Sequence, residues 1–136
     1  MPSSSIELPF AVRRDGVLFP GILADVPTPY GVFPIRLVLD TGADCTMLPR
    51  SLGELLGFDF RTLRRMTVTG VENRGIAAHK ATVTLRIANL MLPPIPCLYT
   101  DSERAPALLG REGFFDLFNI TFDNRRKKIV LTPLFR

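Results

Sequence analysis

Apolar residues recur along the chain in short runs, often with a period of two, and nearly every run is closed by Gly, Pro or an Asp/Asn turn pair. That pattern predicts many short strands and few helices. Residues 1–9 read as a flexible polar start, and 10–136 as one domain. Runs at 10–13 and 17–24 flank Arg14-Asp15-Gly16, whose Asp-Gly pair is a hairpin signal. A loop with Pro27, Pro29 and Gly31 then leads into 33–39, where Ile35, Leu37 and Leu39 share one face and Asp40 closes the run.

Beyond that turn, 46–48 is a short strand. Ser51 with Glu54 three places on predicts a capping box, and Leu52, Leu55 and Leu56 give a brief helix at 51–56, stopped by Gly57. Residues 63–87 read as strand, polar tip, strand, with Gly70 and Gly75 bracketing a bendable hairpin. Residues 89–96 are Pro-rich and irregular, 97–100 is another strand, and 101–106 a polar loop. The segment 107–118 starts as an apolar strand, breaks at Gly110 and continues as a short helix carrying Phe114, Phe115 and Phe118. A hairpin at about 119–133 ends the domain. With no internal repeat, these elements predict an all-β, mainly antiparallel, closed barrel with one or two short helices.

Composition narrows the partners. At 136 residues, 46% hydrophobic and 22% charged, the chain has the size and balance of one globular domain. No apolar run approaches a membrane span and no signal-peptide pattern opens the sequence, so cytoplasmic residence without membrane contact is expected. Cys45 and Cys97 have neither metal-ligand spacing nor disulfide density, and read as free thiols. The net charge of +4 is modest. The basic run 125–128 follows an Asp123-Asn124 turn and reads as a solvated hairpin tip, so no nucleic-acid partner is expected. His79, the single histidine, reads as a packing residue, which leaves no triad and no metal set; Met66 and Met91 read as core filler.

The chemistry-bearing stretch is LVLDTGADCTMLP, 37–49. It delivers a carboxyl, Asp40, to a position where a core residue would be expected, at a cost in free energy unless the carboxyl is held or kept for chemistry. Gly42 allows a tight turn and lets its N–H approach the carboxylate, while the Thr41 hydroxyl is available to brace the loop. Together with LLGREGF at 108–114 and the glycine-bracketed hairpin between the two motifs, this stretch resembles the retropepsin-like aspartic proteases over nearly the whole chain.

The resemblance implies that Asp40 is the catalytic aspartate, with Thr41, Gly42 and Ala43 in its loop. It also implies that Asp44 and Arg111 form an ion pair supporting that loop. Gly70, Val71, Glu72, Asn73, Arg74 and Gly75 would form the flap over substrate, within a hairpin at about 63–87. The family's closed barrel fold and flap are then expected, with no cofactor. One Asp-Thr-Gly in a chain too short for two lobes implies a homodimer that places two Asp40 carboxyls side by side and hydrolyses peptide bonds with an activated water. The chain runs about 25 residues past Arg111 with an added hairpin, so the subunit contact is expected to be built differently from the terminal-strand sheet of the viral relatives. Ala43 offers no hydroxyl to the carboxylate, so a mildly acidic to neutral working pH is expected. Leu37, Ile76 and Leu108 are candidate apolar walls for a bound peptide, and Cys45 a candidate groove residue. The alternative function is a non-catalytic dimerisation or peptide-binding module on the same fold.

Overall fold

The computed structural model describes residues 4–69 and 75–135. In chain order the strands are β1 (Ile6–Pro9), β2 (Ala11–Val12), β3 (Leu18–Phe19), β4 (Gly21–Thr28), β5 (Gly31–Leu39) and β6 (Thr46–Pro49). After helix α1 (Arg50–Leu55) come β7 (Arg64–Thr69), β8 (Gly75–Val83), β9 (Arg86–Ile87), β10 (Leu90–Met91), β11 (Ile95–Thr100) and β12 (Leu108–Leu109). A 3-10 turn (Phe115–Leu117) then leads into β13 (Phe118–Asp123) and β14 (Lys128–Pro133). The fold is all-β and mainly antiparallel, as the sequence pattern predicts.

Nine strands form one sheet in the order β10-β9-β4-β5-β12-β6-β11-β8-β7, and β1-β14-β13 form a second of three strands. Among the described residues the large sheet is curled but not closed: β10 and β7 are its edges, which corrects the expectation of a closed barrel. Only β11 with β6 and β12 with β5 pair in parallel. Those two parallel pairs carry the chain across the middle of the sheet, where the two sequence motifs meet.

The alternation of β4 and β5 sets the inside. Ile22, Ala24 and Val26 are buried opposite a strand whose Ile35, Leu37 and Leu39 also face inward. Leu48, Cys97, Tyr99 and Leu109 continue this core, Phe114 joins it from the turn before β13, and Phe118, Ile129 and Leu131 close it from the three-stranded sheet. The expected Pro-rich loop shrinks to the turn between β4 and β5, because Pro27 pairs with Val32 inside the hairpin.

Three further expectations are corrected. Residues 6–9 are not a flexible start: Ile6↔Leu131 through Pro9↔Lys128 pair β1 to β14. Half-buried Ile6 and Leu8 alternate with Glu7, whose carboxylate accepts from Arg126 Nη1 at 3.2 Å. The capping box does not form. Pro49 is the N-cap of α1, Ser51 Oγ donates to Glu103 at 3.3 Å, and Glu54 accepts from Arg50 Nε at 3.0 Å, so both box residues are engaged elsewhere. The helix expected after Gly110 is a turn followed by the 3-10 turn, with the Asp116 carboxylate accepting from Gly113 N–H at 3.2 Å.

Because β14 is hydrogen-bonded on both sides and Leu131 is fully buried, Leu131→Ala leaves a cavity at the join between the two sheets. A loss of about 2–5 kcal/mol in unfolding free energy is expected by denaturant titration; a loss below about 1 kcal/mol would show that the three-stranded sheet is not part of the cooperative core.

Candidate active site

Strand β5 ends by bonding alternately to two segments, one on each side. Val38 N–H donates to Ala107 O (3.1 Å), Leu39 N–H to Pro20 O (2.9 Å) and Asp40 N–H to Leu109 O (3.0 Å). The Asp40 main chain is thus fixed at the exit of the strand by backbone bonds. The chain then turns back, Ala43 N–H donating to Asp40 O at 3.2 Å. Gly42 N–H donates to Asp40 Oδ1 at 2.9 Å, and a Cβ on Gly42 would stand 3.2 Å from that same oxygen. The absence of a side chain there is what lets the amide come so close.

The second motif is stitched onto this loop. Arg111 N–H donates to Ala43 O (3.0 Å) and Glu112 N–H to Asp44 O (2.8 Å). The Arg111 guanidinium donates through Nη2 to Asp44 Oδ1, the pair that the resemblance implies. Both side chains are largely solvent-exposed, so their attraction is screened and the backbone bonds carry more of the hold. Gly110 N–H donates to the buried Thr46 Oγ1 at 3.3 Å. A Cβ on Gly110 would lie 2.4 Å from the carbonyl carbon of Cys45, so only glycine lets the two backbones meet.

Asp40 itself is half-buried rather than embedded in the core. Strand alternation gives the reason: Leu37 and Leu39 point to the core, so Val38 and Asp40 point to the other face. Register carries that face across the sheet through Val38↔Leu108, Leu108↔Met47 and Met47↔Leu98. Leu98 and Leu108 are 5% and 7% exposed yet stand outside the main core cluster. They form an apolar strip on the Asp40 side, to which Ile76 is added by its place on β8. Leu37, 0% exposed in the core, is no wall of this face, which corrects that expectation.

The other expected residues fall as follows. Thr41 is exposed, and its hydroxyl bonds to no described residue. Gly70, Val71, Glu72, Asn73 and Arg74 lie outside the described residues; Gly75 opens β8 and pairs with Thr69. Cys45 is half-buried, and its thiol donates to Glu112 Oε2 at 3.5 Å. Burial first, then the neighbouring Glu112 carboxylate, hold that thiol above its ordinary range. Burial pushes the Cys97 thiol up to about 12. Neither is therefore an activated nucleophile.

His79 is 7% exposed, edge-on to Phe60 with ring centroids 5.0 Å apart. Its Nε2 lies 3.3 Å from Asp101 Oδ1 without hydrogen-bond geometry. Among the described residues no three His, Cys, Asp or Glu side chains cluster as metal ligands, and no helix is long and apolar enough to cross a membrane. Two surface hollows of about 490 and 380 Å³ lie against the N-terminal strands and include no residue of the Asp40 loop.

Gly110→Ala is expected to force the second motif off the Asp40 loop. The cost should exceed about 1–3 kcal/mol of stability, the usual range for overpacking, because the clash is with backbone. Thermal unfolding and the amide resonances of 40–46 read it; unchanged resonances in that loop would contradict the close approach.

Residues 28–112, more than half of the chain, match the aspartyl protease family. No curated protein matches the sequence. Among solved structures the fold is similar to a retropepsin-like aspartic protease from Rickettsia conorii (TM-score 0.63, 22% identity, 94% of this chain and 91% of that one). It is similar to the EIAV protease complexed with the inhibitor HBY-793 (0.53, 21%, 74% and 88%). It is also similar to the retroviral protease-like domain of Ddi1 from Leishmania major (0.61, 12%, 87% and 95%). An Asp-Thr-Gly turn bound to a Leu-Leu-Gly-Arg strand is thus set in a known architecture: the fold is retropepsin-like, and the chain belongs to the aspartyl protease family.

Proposed function

We propose that this chain is an aspartic endopeptidase whose active unit is a homodimer with two Asp40 carboxyls sharing one proton. The observation that carries the reading is the state of Asp40. One carboxylate oxygen is held by Gly42 N–H, the side chain lies on the sheet face away from the core, and the apolar strip Val38, Leu108, Met47 and Leu98 shares that face. A carboxylate kept half-exposed above an apolar floor suits a bound peptide better than it suits folding. Gly42, Ala43, Asp44 and Arg111 hold the loop, and the segment 70–75 is assigned the flap role that the resemblance implies.

One carboxylate supplies only half of the chemistry. Two carboxyls about 3 Å apart cannot both be ionised, so the pair holds a single proton. The ionised member takes a proton from a water lying between them as its oxygen bonds to the peptide carbon. The protonated member gives its proton to the carbonyl oxygen, forming a neutral tetrahedral diol. The carboxyl that now holds the proton gives it to the amide nitrogen while the other carboxylate takes a proton from a diol hydroxyl, so the C–N bond breaks into acid and amine and the pair is left again with one proton. No cofactor enters the cycle. Asp44 balances Arg111 beside the loop, so the ion pair adds little net field at the reacting atoms.

Asp40→Asn is expected to keep the fold and the association and to lower peptide cleavage by at least about 10²–10⁴-fold. Native activity per chain should fall on dilution below the dimer dissociation constant. Cleavage by the Asn variant, or full activity from a single chain in sedimentation experiments, would end the reading.

Ala43, three residues after Asp40, offers the carboxylate no side-chain donor. Ala43→Ser supplies a hydroxyl able to donate to the charged form and so favour ionisation. The acidic limb of the pH–rate profile should therefore move to lower pH, from a native optimum between mildly acidic and neutral. A native optimum near pH 2–3 would contradict this account, as would an acidic limb unmoved in the Ser variant.

A further inference from the structure

The apolar strip beside Asp40 does not end in an apolar residue. Followed outward by register, Leu98 pairs with Lys80 on β8, and Lys80 pairs with Arg64 on β7. Residues directly opposite one another point to the same face of a sheet, so one continuous row reads Val38, Leu108, Met47, Leu98, Lys80, Arg64. The first four are buried or half-buried, whereas Lys80 and Arg64 are exposed. A floor that starts beside the carboxyl as hydrocarbon therefore finishes as two cations.

Two like charges set directly opposite in an antiparallel pair repel and weaken it by a few tenths of a kcal/mol or more. Among the described residues neither Lys80 nor Arg64 reaches a carboxylate at salt-bridge distance, although ten such contacts form elsewhere. Of the acids of the Asp40 loop and the second motif, Asp44 is paired with Arg111, and Glu112 accepts the weak contact of the Cys45 thiol and reaches neither Lys80 nor Arg64 at salt-bridge distance. Lys80 also sits on the active-site side. Although burial and Glu112 dominate the Cys45 thiol, the positive charge of Lys80 acts on it in the opposite sense. Cys45 adjoins Asp44, only five residues after Asp40 in the same loop. Among the described residues the outer end of the row thus has no carboxylate paired to it, and its two cations face the side of the groove.

We infer that Lys80 and Arg64 are specificity-determining residues that select an acidic side chain of an extended peptide substrate, apolar side chains being taken nearer the cut. The inference rests on the endopeptidase reading for its substrate class. Lys80 is four strands from Val38, at most about 19 Å along the curled sheet at about 4.8 Å per strand. An extended peptide covers about 3.3 Å per residue, so the acidic residue falls within about six residues of the scissile bond. Two identical subunits present the same pair to both halves of the substrate, and the preference is expected on both sides of the cut.

The test is a positional-scanning library of decapeptides with Glu, Gln or Lys at each site. It is read once as cleavage by the native protein and once as capture by the full-length Asp40→Asn protein, which needs no turnover. Glu over Gln is expected by about two- to tenfold at low salt, the range open to exposed charge pairs. The preference should fade near 1 M salt, where screening acts within about 3 Å. It should disappear in Lys80→Gln/Arg64→Gln and turn towards Lys in Lys80→Glu/Arg64→Glu. Enrichment unchanged in the double Gln variant, or no Glu enrichment among captured peptides, overturns the inference. So does an oligonucleotide that displaces the captured peptides with the same salt dependence, which marks a general polyanion surface. Glu-selective capture without any cleavage would uphold the inference and remove the endopeptidase reading instead.

Discussion

The contact on which the rest depends is the meeting of two backbones, the loop after Asp40 and the strand end at Gly110. Three features coincide there: the missing side chain of Gly110 against Cys45, the Thr46 hydroxyl receiving Gly110 N–H, and the amides of Arg111 and Glu112 on the carbonyls of Ala43 and Asp44. Each bond is worth only about 0.5–1.5 kcal/mol net. Their joint effect is geometric, because they leave the Asp40 loop no freedom to slide along the second motif. The Asp44–Arg111 pair, exposed on both sides, finishes this seam and does not create it.

From that seam the two faces of the large sheet acquire different duties. Ile35, Leu37 and Leu39 of β5 supply the core and Val38 lines the side of Asp40, and pairing propagates the division through β12, β6, β11 and β8. Leu98 and Leu108 are consequently buried without belonging to the main core. Hydrophobic burial thus does two jobs in one sheet, holding the fold on one face and preparing a dry surface on the other.

Much of this was legible in the sequence where the cause is local. Gly42 beside Asp40, the hairpin signals at Asp15-Gly16 and Asp123-Asn124, and the strand parity of 33–39 depend on residues within a few positions. Parity alone also excludes Leu37 from the Asp40 side, since it shares a face with Leu39. Where distant partners decide, the sequence was silent. Ile6–Pro9 is a strand only because Leu131 and its neighbours, over 120 residues away, offer a ladder. Ser51 and Glu54 have the spacing of a capping box, but Glu103 and Arg50 compete for them successfully. The row from Val38 to Arg64 needs the register of six strands at once, and no short window contains it.

The three-stranded sheet has a consequence of a different kind. Its middle strand, β14, already has a neighbour on each flank from its own chain, β1 and β13, so the centre of this sheet is complete without a foreign strand. On the homodimer proposed above, formation of this sheet within one copy and the meeting of two Asp40 carboxyls are separate events, and the concentration of copies governs only the second.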